Sequence, residues 1–308
     1  MAVKGVPPGL GRRRIGVISG GRSGESGISR LTGKAVLNGL RRLGLRAAGL
    51  EADSLLPQRL KDEKIGFAFI ALHGRFGEDG TVQGLCQAMG IPYSGSGVLA
   101  SALAMNKALS KEIFRSAGIR TARSQVLDRP DGKIRLKYPV VVKPVDGGSA
   151  LGVGIAAGPR TARSALKSAL RVSGSALVEE YVRGTEVTAP ILGDRVLPLI
   201  EIIPKGRFYD FRSKYVPGMS SHIIPARIGA PAAAAVREAA LAAHRALGCR
   251  AFSRADFIVD RAGRPWILEL NSIPGMTATS LFPEAARAAG IPFEKMLLDI
   301  IAGSLPPG

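Results

Sequence analysis

Cysteine is nearly absent. Only Cys86 and Cys249 occur in 308 residues, far apart and each in an apolar setting. Two such residues build no disulfide framework, so the expectation is a reducing cytoplasm in which both fill core. No hydrophobic run approaches the roughly 18 residues that span a bilayer. The basic, Pro/Gly-rich stretch from Met1 to Arg14 lacks the apolar segment of a secretory signal. Neither membrane insertion nor secretion is expected. Acidic residues are outnumbered, 24 Asp and Glu against 43 Lys and Arg, for a formal charge of +19. That surplus suits a phosphate-bearing partner. Aromatics are scarce, at 5% of the chain, and none interleave with the basic runs Arg12-Arg13-Arg14 and Arg41-Arg42 as a base-stacking platform would require. Nucleic acid is therefore disfavoured, and a polyanionic small molecule such as ATP fits better.

What the chain has is length and apolar content, 46% hydrophobic residues, enough for two or three domains. A strand at Ile15–Ile18 runs into a Gly/Ser-rich turn and then a helix carrying Leu31, Ala35, Val36, Leu40 and Leu43. Strand, glycine turn and helix is how α/β folds open, and a helix N-terminus there favours an anion. Gly20, Gly21 and Gly24 nevertheless miss the dinucleotide spacing. Glu25 sits where an anion site would not want it. Either it faces a cationic ligand such as an ammonium, or it merely favours the helix dipole. Further βα units cover Arg46–Leu50 with Leu55–Lys61, and Phe67–Leu72, which ends in a polar loop beginning at His73. Open α/β sheets place ligands at such strand ends, so His73 is a site candidate. The first domain is expected to close at Gly97.

A single helix is expected from Leu99 to Ala117, with Met105, Leu109 and Ile113 on one face and Lys107 on another. Leu127–Lys137 reads as a surface connection. Tyr138–Pro144 is a buried β run carrying Lys143, followed by the glycine-rich loop Val145–Gly154. A lysine inside a valine run is rare without a partner, and loop N–H groups can wrap phosphate oxygens. Together they outline a phosphate grip distinct from the P-loop. After a helix at Thr161–Arg171, the segment Glu179, Glu180, Tyr181, Val182 plus Glu186 could hold a nucleoside, or could be an ordinary strand, turn and strand. Val196–Ile203 is a further strand. Lys214 and Tyr215 root a Gly/Ser/Pro-rich loop able to close over a site. His222 has no evident partner, and His244 on the helix Pro231–Leu247 is expected at the surface. Last come two apolar runs, one with Arg254 and Asp256, the other with Glu269 and Asn271. Residues two apart on a strand share a face. Carboxylates and an amide oxygen, with no Cys or His beside them, suit a hard cation such as Mg2+.

Four segments, in order, carry a resemblance that covers Gly20 to Leu281. They are Ala71-Leu-His-Gly-Arg-Phe-Gly-Glu-Asp-Gly-Thr-Val-Gln-Gly84, Pro92 to Lys107, Phe208-Tyr-Asp with Lys214-Tyr215, and Glu269-Leu-Asn-Ser-Ile-Pro-Gly-Met-Thr277. The chain resembles the ATP-grasp superfamily and, within it, the D-alanine-D-alanine ligases. The resemblance implies an α/β protein: an N-terminal open parallel α/β domain (1–97) and two ATP-grasp subdomains (98–186 and 187–308), with a lid loop near 209–224. It implies ligation of two D-alanines through a D-alanyl phosphate, for peptidoglycan synthesis, using ATP and two Mg2+ or Mn2+ ions. Glu25 would hold the first D-alanine's ammonium beside His73. Ser149 and Tyr215 would join Glu25 in a hydrogen-bonded triad. Lys107, Lys143 and Lys214 would grip ATP phosphates, Glu179 to Val182 the adenine, and Glu186 the ribose. Asp256, Glu269 and Asn271 would bind metal, Arg254 and the Gly275 N–H would stabilise an oxyanion, and Ser280 with Leu281 would receive the second carboxylate. A homodimer is the family's usual state. Ser26, Asn106 and Ala150 depart from the family pattern without removing a required charge. Two rivals are a D-alanyl-D-lactate ligase, against which Tyr215 argues, and a non-catalytic basic nucleotide binder, against which the acids near Arg254 argue.

Overall fold

A computed structural model describes residues 7, 10, 12–205 and 219–305. The chain opens with β1 (Arg14–Ser19), α1 (Ser26–Arg42), β2 (Ala47–Glu51), α2 (Leu56–Asp62), β3 (Ile65–Ile70) and α3 (Thr81–Ala88). The strands pair in the order β2-β1-β3, all parallel, and a parallel bridge from Ala68 to Tyr93 extends the sheet. Both faces of a parallel sheet are covered, which is why β1 and β3 read as nearly continuous apolar runs. Leu31, counted in the apolar stripe of α1, is exposed instead. Ser29, Thr32, Gly33 and Val36 take the buried face.

The single helix expected from Leu99 to Ala117 is two: α4 (Val98–Met105) and α5 (Lys107–Ser116). Asn106 breaks it. Its backbone is extended (φ −87°, ψ 98°), and its side chain accepts from the Leu109 N–H at 3.0 Å as the N-cap of α5. The rotation between the two helices leaves Leu109 half exposed.

A four-stranded antiparallel sheet follows, from β4 (Ser124–Leu127), β5 (Val140–Pro144), β6 (Gly154–Ala156) and β7 (Ala176–Glu180), in the order β4-β7-β5-β6. α6 (Pro159–Ser173) packs Ala162, Leu166 and Ala169 onto Val140, Val142 and Val178. The next sheet is also antiparallel: β8 (Thr185–Leu192), β9 (Arg195–Val196), β10 (Ile200–Pro204), β11 (Ser220–Ile223), β12 (Phe252–Val259) and β13 (Pro265–Asn271). Its order is β11-β10-β8-β12-β13, with β9 on β8. The run expected as one strand from Val196 to Ile203 is interrupted at Pro198, which lacks the N–H a ladder needs. α7 (Ala230–Ala246) covers one face through Val236, Ala240 and Ala243. His244 lies within that packing, 6% exposed, and shares a 2.7 Å hydrogen bond with Ser253 Oγ, so its expected surface position is corrected. An Ala-rich helix carries too little contrast to show which side faces the sheet.

Helices α8 (Leu281–Ala288) and α9 (Phe293–Ser304) return to the start of the chain. Phe282, Met296 and Ile300 share one core with Ile15 and Phe67. α1 meets α9 at Gly39, where a Cβ would come within 2.8 Å of Leu297. Alternation along the antiparallel strands puts Val142 and Phe257 into cores and turns Val141 and Ile258 toward the opposing sheet. The gap between those faces is a cleft. No described helix is long and apolar enough to cross a membrane.

Candidate active site

Two cavities meet in the middle of the molecule. The first is the cleft between the antiparallel sheets, lined by Lys143, Glu179, Tyr181, Val182, Glu186 and Asp256 among others. The second is a polar chamber reached by Glu25, His73, Arg254, Asn271, Gly275 and Ser280. Lys107, Gly147, Gly148 and Glu269 line both. A molecule in the cleft and one in the chamber therefore touch along these four residues.

Glu25 is the N-cap of α1 and is 6% exposed. The Ser149 hydroxyl donates to its carboxylate. Glycines let the backbone close on it: a Cβ at Gly74 or at Gly148 would stand 2.8 Å from Glu25 Oε2. Ser149 and Ala150 adopt left-handed backbone (φ 54° and 56°), a strained arrangement for residues with a Cβ, as functional loops often hold. His73 lies beside them with Nε2 3.0 Å from Thr32 Oγ1. Burial, aided by the charge of Arg254, pushes its pKa down to about 4, so the ring is neutral at physiological pH.

The metal-type donors come from the β12–β13 ladder, where Asp256 faces Glu269 and Arg254 faces Asn271. Arg254 holds Asp256 in a fork, Nε to Oδ1 at 2.9 Å and a second contact to Oδ2 at 2.8 Å. Thr188 Oγ1 adds a donor 2.5 Å from Asp256 Oδ1. Glu269 lies 3.4 Å from Lys107 Nζ. Asn271 Oδ1 accepts from the Ile273 N–H at 2.8 Å. Two facing carboxylates and an amide oxygen, each drawn toward a cation or an N–H, fit hard divalent ions. Among the described residues no three His, Cys, Asp or Glu side chains gather as a metal cluster.

Lysines line the seam. Lys107 Nζ donates to the Gly147 carbonyl at 2.6 Å. Lys143 Nζ lies 2.7 Å from Glu179 Oε1, and that carboxylate is only 3% exposed. Glu180 turns its side chain to Arg123, with Nε 2.9 Å from Oε1. The acids of the segment expected at the adenine are thus engaged by protein cations, and what faces the cleft beyond them is Tyr181 and Val182. At the far end of the chamber, Ser280 is the N-cap of α8, and Leu281 begins it. Ser280 Oγ stands 2.8 Å from Thr277 Oγ1 and accepts from the Thr277 N–H at 3.1 Å. A Cβ at Gly275 would approach it to 2.8 Å. A helix N-terminus offers N–H groups to a carboxylate.

The structure brings together Glu25, His73, Lys107, Lys143, Ser149, Val182, Glu186, Arg254, Asp256, Glu269, Asn271, Gly275, Ser280 and Leu281 around these two cavities. Lys214 and Tyr215 lie outside the described residues, as does the lid region up to Gly218. His222, without an evident partner in the sequence, is 2.7 Å from Glu284 Oε2. Sequence reasoning missed two buried charges. Glu78 is 8% exposed and lines the chamber, accepting from the Gly74 N–H at 2.6 Å. Burial, reinforced by the charge of Glu25, pushes its carboxyl up to about 8. The hint was two adjacent acids after a buried strand. Lys111 is fully buried on α5, one helical turn beyond Lys107.

Two antiparallel sheets closing on a cleft of paired lysines and carboxylates, with a polar chamber at its inner edge, define a protein of the ATP-grasp class. Comparison with known proteins narrows this. The family model described as D-ala D-ala ligase C-terminus matches residues 110–302, and its N-terminus counterpart matches 46–96. A D-alanine--D-alanine ligase of Citrifermentans bemidjiense is 50% identical over 293 residues, covering 95% of this chain and 96% of that protein. The crystal structure of the Bacillus anthracis D-alanine--D-alanine ligase complexed with ATP superposes with a TM-score of 0.81 at 35% identity, covering 95% and 97%. The VanG D-Ala:D-Ser ligase of Enterococcus faecalis matches with a TM-score of 0.81 at 28% identity, covering 95% and 99%. The chain belongs to the D-alanine-D-alanine ligase family.

Proposed function

We propose that this chain is an ADP-forming ligase that joins two D-alanine molecules into D-alanyl-D-alanine for the cell wall, with ATP in the cleft and the amino acids in the chamber. The observation that carries this reading is the seam: Lys107, Gly147, Gly148 and Glu269 line both cavities, so a terminal phosphate and a substrate carboxylate can meet there. In the first step a carboxylate oxygen of the first D-alanine attacks the γ-phosphorus and ADP leaves. In the second, the amine of the other D-alanine adds to the acyl carbon, and phosphate departs with the bonding pair. Such transfer is catalysed by position and charge neutralisation.

The chain's own groups divide these tasks. Glu25, held by Ser149, receives the first ammonium, with the neutral His73 beside it. Lys107 and Lys143, with Lys214 from the lid, take phosphate oxygens. Val182 and the Glu179–Glu180 backbone border the adenine, and Glu186 the ribose. Arg254 and the Gly275 N–H receive the oxyanion, where losing one donor typically costs about 3 kcal/mol of barrier. Ser280 and Leu281, at the start of α8, receive the second carboxylate. Asp256, Glu269 and Asn271 would hold two Mg2+ or Mn2+ ions, which supply neutralisation of phosphate charge. Tyr215, outside the described residues, would by this reading join Glu25 and Ser149 in a hydrogen-bonded triad. The same reading carries a homodimer in the cytoplasm, and working units at 1–97, 98–186 and 187–308.

The test is a product assay with ATP, Mg2+ and D-alanine, with and without D-lactate. Phosphate release should require D-alanine and yield the dipeptide in both mixtures. Depsipeptide in the second mixture refutes the amide assignment. No release with D-alanine but brisk release with another amino acid refutes the substrate.

A further inference from the structure

Lys111 has no place in the reading above. It is among the largest fully buried side chains, with no exposed surface, on a helix whose neighbouring residues Leu109 and Glu112 face outward. An ammonium has three donors, and three acceptors surround this one: Thr121 Oγ1 at 2.6 Å, Glu179 Oε2 at 2.8 Å and the Ala122 carbonyl at 3.5 Å. The approach to Glu179 Oε2 is an ion pair rather than a well-aligned hydrogen bond. Glu179 spans the gap, with its other oxygen 2.7 Å from Lys143 Nζ. Thr121 continues the chain, donating to the Ile267 carbonyl of β13 at 2.9 Å. The Ile267 N–H returns to the Arg120 carbonyl at 2.9 Å, and the Arg120 guanidinium lies 5.4 Å from the centre of the Trp266 ring. One unbroken path thus runs from Lys143 in the cleft, through Glu179, Lys111 and Thr121, to the strand that carries Glu269 and Asn271.

Charge counting says what the path does. Burial pushes the Lys111 ammonium below its ordinary range, against the opposing charge of Glu179; with both lysines protonated, two ammonium groups flank one carboxylate, which leaves a surplus of one positive charge in a nearly dry setting. Lys111 is sealed from solvent, while Lys143 lines the cleft, so the surplus is presented there, on a wall that also carries the carboxylates of Glu180, Glu186, Asp256 and Glu269. Burial alone would raise the Glu179 carboxyl, but the charges of Lys143 and Lys111 outweigh it and hold the group below its ordinary range. With Lys111 neutral, Glu179 and Lys143 would satisfy each other and the pair would offer the cleft no net charge. Buried ion pairs contribute little net stability and can be retained for geometry.

We propose that Lys111 is a positioning residue for nucleotide binding: it neutralises Glu179 from behind, so that the charge of Lys143 remains available to a polyphosphate in the cleft. This rests on the assignment of the cleft to ATP, and the experiment separates the two. Binding of ADP and ATP to the full-length parent is measured first by calorimetry. A parent that binds neither overturns the ATP assignment itself. The isosteric Lys111→Met is then compared with the parent. Loss of a charged partner at a buried pair corresponds to about tenfold or more in affinity. The expected result is a tenfold weaker Kd for both nucleotides, with KM for D-alanine within twofold at both sites. In a cycle with Glu179→Gln, the Lys111 effect should shrink at least threefold, because the carboxylate it neutralises is gone. Should Lys111→Met fail to fold, Thr121→Val removes one anchor of the same ammonium and should weaken nucleotide about threefold with D-alanine unchanged. Nucleotide affinity within twofold of the parent overturns the proposal. So does a parallel loss of nucleotide and D-alanine affinity, which is what a merely structural lysine would give.

Discussion

Glu78 offers the sharpest physical test of the chamber. Its carboxyl is 8% exposed, beside the like charge of Glu25, with Lys107 and Arg254 near enough to offset only part of the cost. The result is a midpoint pushed up to about 8, against an ordinary value of 4.5. Between those two values the folded chain holds a proton that the unfolded chain has released. Stability therefore falls as pH rises through this window, by about 1.4 kcal/mol per pH unit, and is level above it. From pH 5 to 7.5 the difference between the parent and Glu78→Gln should change by about 3 kcal/mol in favour of the variant. Glutamine keeps an oxygen for the Gly74 N–H and cannot ionise, so other titrating groups cancel in the comparison. The direct assay is a carboxyl carbon-13 titration of glutamate-labelled protein. One resonance, absent from Glu78→Gln, should titrate near 8, while urea midpoints supply the stability difference. A resonance titrating below 6, with a flat difference across the window, would show that Lys107 and Arg254 outweigh burial and refute the reasoning.

Three further outcomes follow from the same geometry. Asp256→Asn and Glu269→Gln should each lower kcat roughly a hundredfold, equivalent to about 2.7 kcal/mol of barrier, with thermal midpoints within a few degrees of the parent; unchanged turnover removes them from the metal site. Glu25→Gln should raise KM for the first D-alanine about tenfold while leaving ATP affinity within twofold, since a charged hydrogen bond contributes about 1.5–3 kcal/mol. An unchanged KM argues against the ammonium contact. His244, lowered to about 4 by burial, stays neutral in the fold, while the unfolded chain takes up a proton below 6.5. Its contribution is intact above 6.5 and lost as pH falls to 4, so His244→Gln should lose roughly 3 kcal/mol less stability than the parent over that interval. Parallel denaturation curves would contradict this.

Much of the site was legible because strand periodicity is simple. Glu269 and Asn271 had to share a face, and so did Arg254 and Asp256, once each run was read as a strand. Lys143 stood out because a charge inside a valine run demands a partner. The partner was not legible: Glu179 lies 36 positions away, in a segment that reads as a nucleoside contact, and its carboxylate is engaged by two lysines. Of the two adjacent acids after β3, Asp79 is spent on the turn, accepting from the Phe76 and Thr81 N–H groups, and Glu78 is buried in the chamber. Their spacing alone does not say which does which. A lysine or histidine on a helix reads as solvated because that is its ordinary fate, which is why His244 is expected at the surface and Lys111 does not stand out.

Asn106 ties one backbone conformation to the chemistry. A single helix through 99–117 has Met105, Leu109 and Ile113 on its packed face and Lys107 on another, with Lys111 one turn beyond Lys107. The extended backbone at Asn106 resets that face, burying Lys111 and placing Lys107 in the first turn of α5, where its ammonium reaches the Gly147 carbonyl and Glu269. Both lysines follow the break, so it sets the start and direction of the helix that carries them. Lys107 meets the seam between the cavities, and Lys111 meets the back of Glu179. A substitution that heals the break, Asn106→Ala, removes the N-cap at a cost of about 1 kcal/mol and should weaken nucleotide binding through both lysines, whereas Asn106→Asp keeps an accepting oxygen for the Leu109 N–H and should leave it intact. Equal nucleotide affinity in the two variants, measured by calorimetry, would show that the lysines keep their places without the cap.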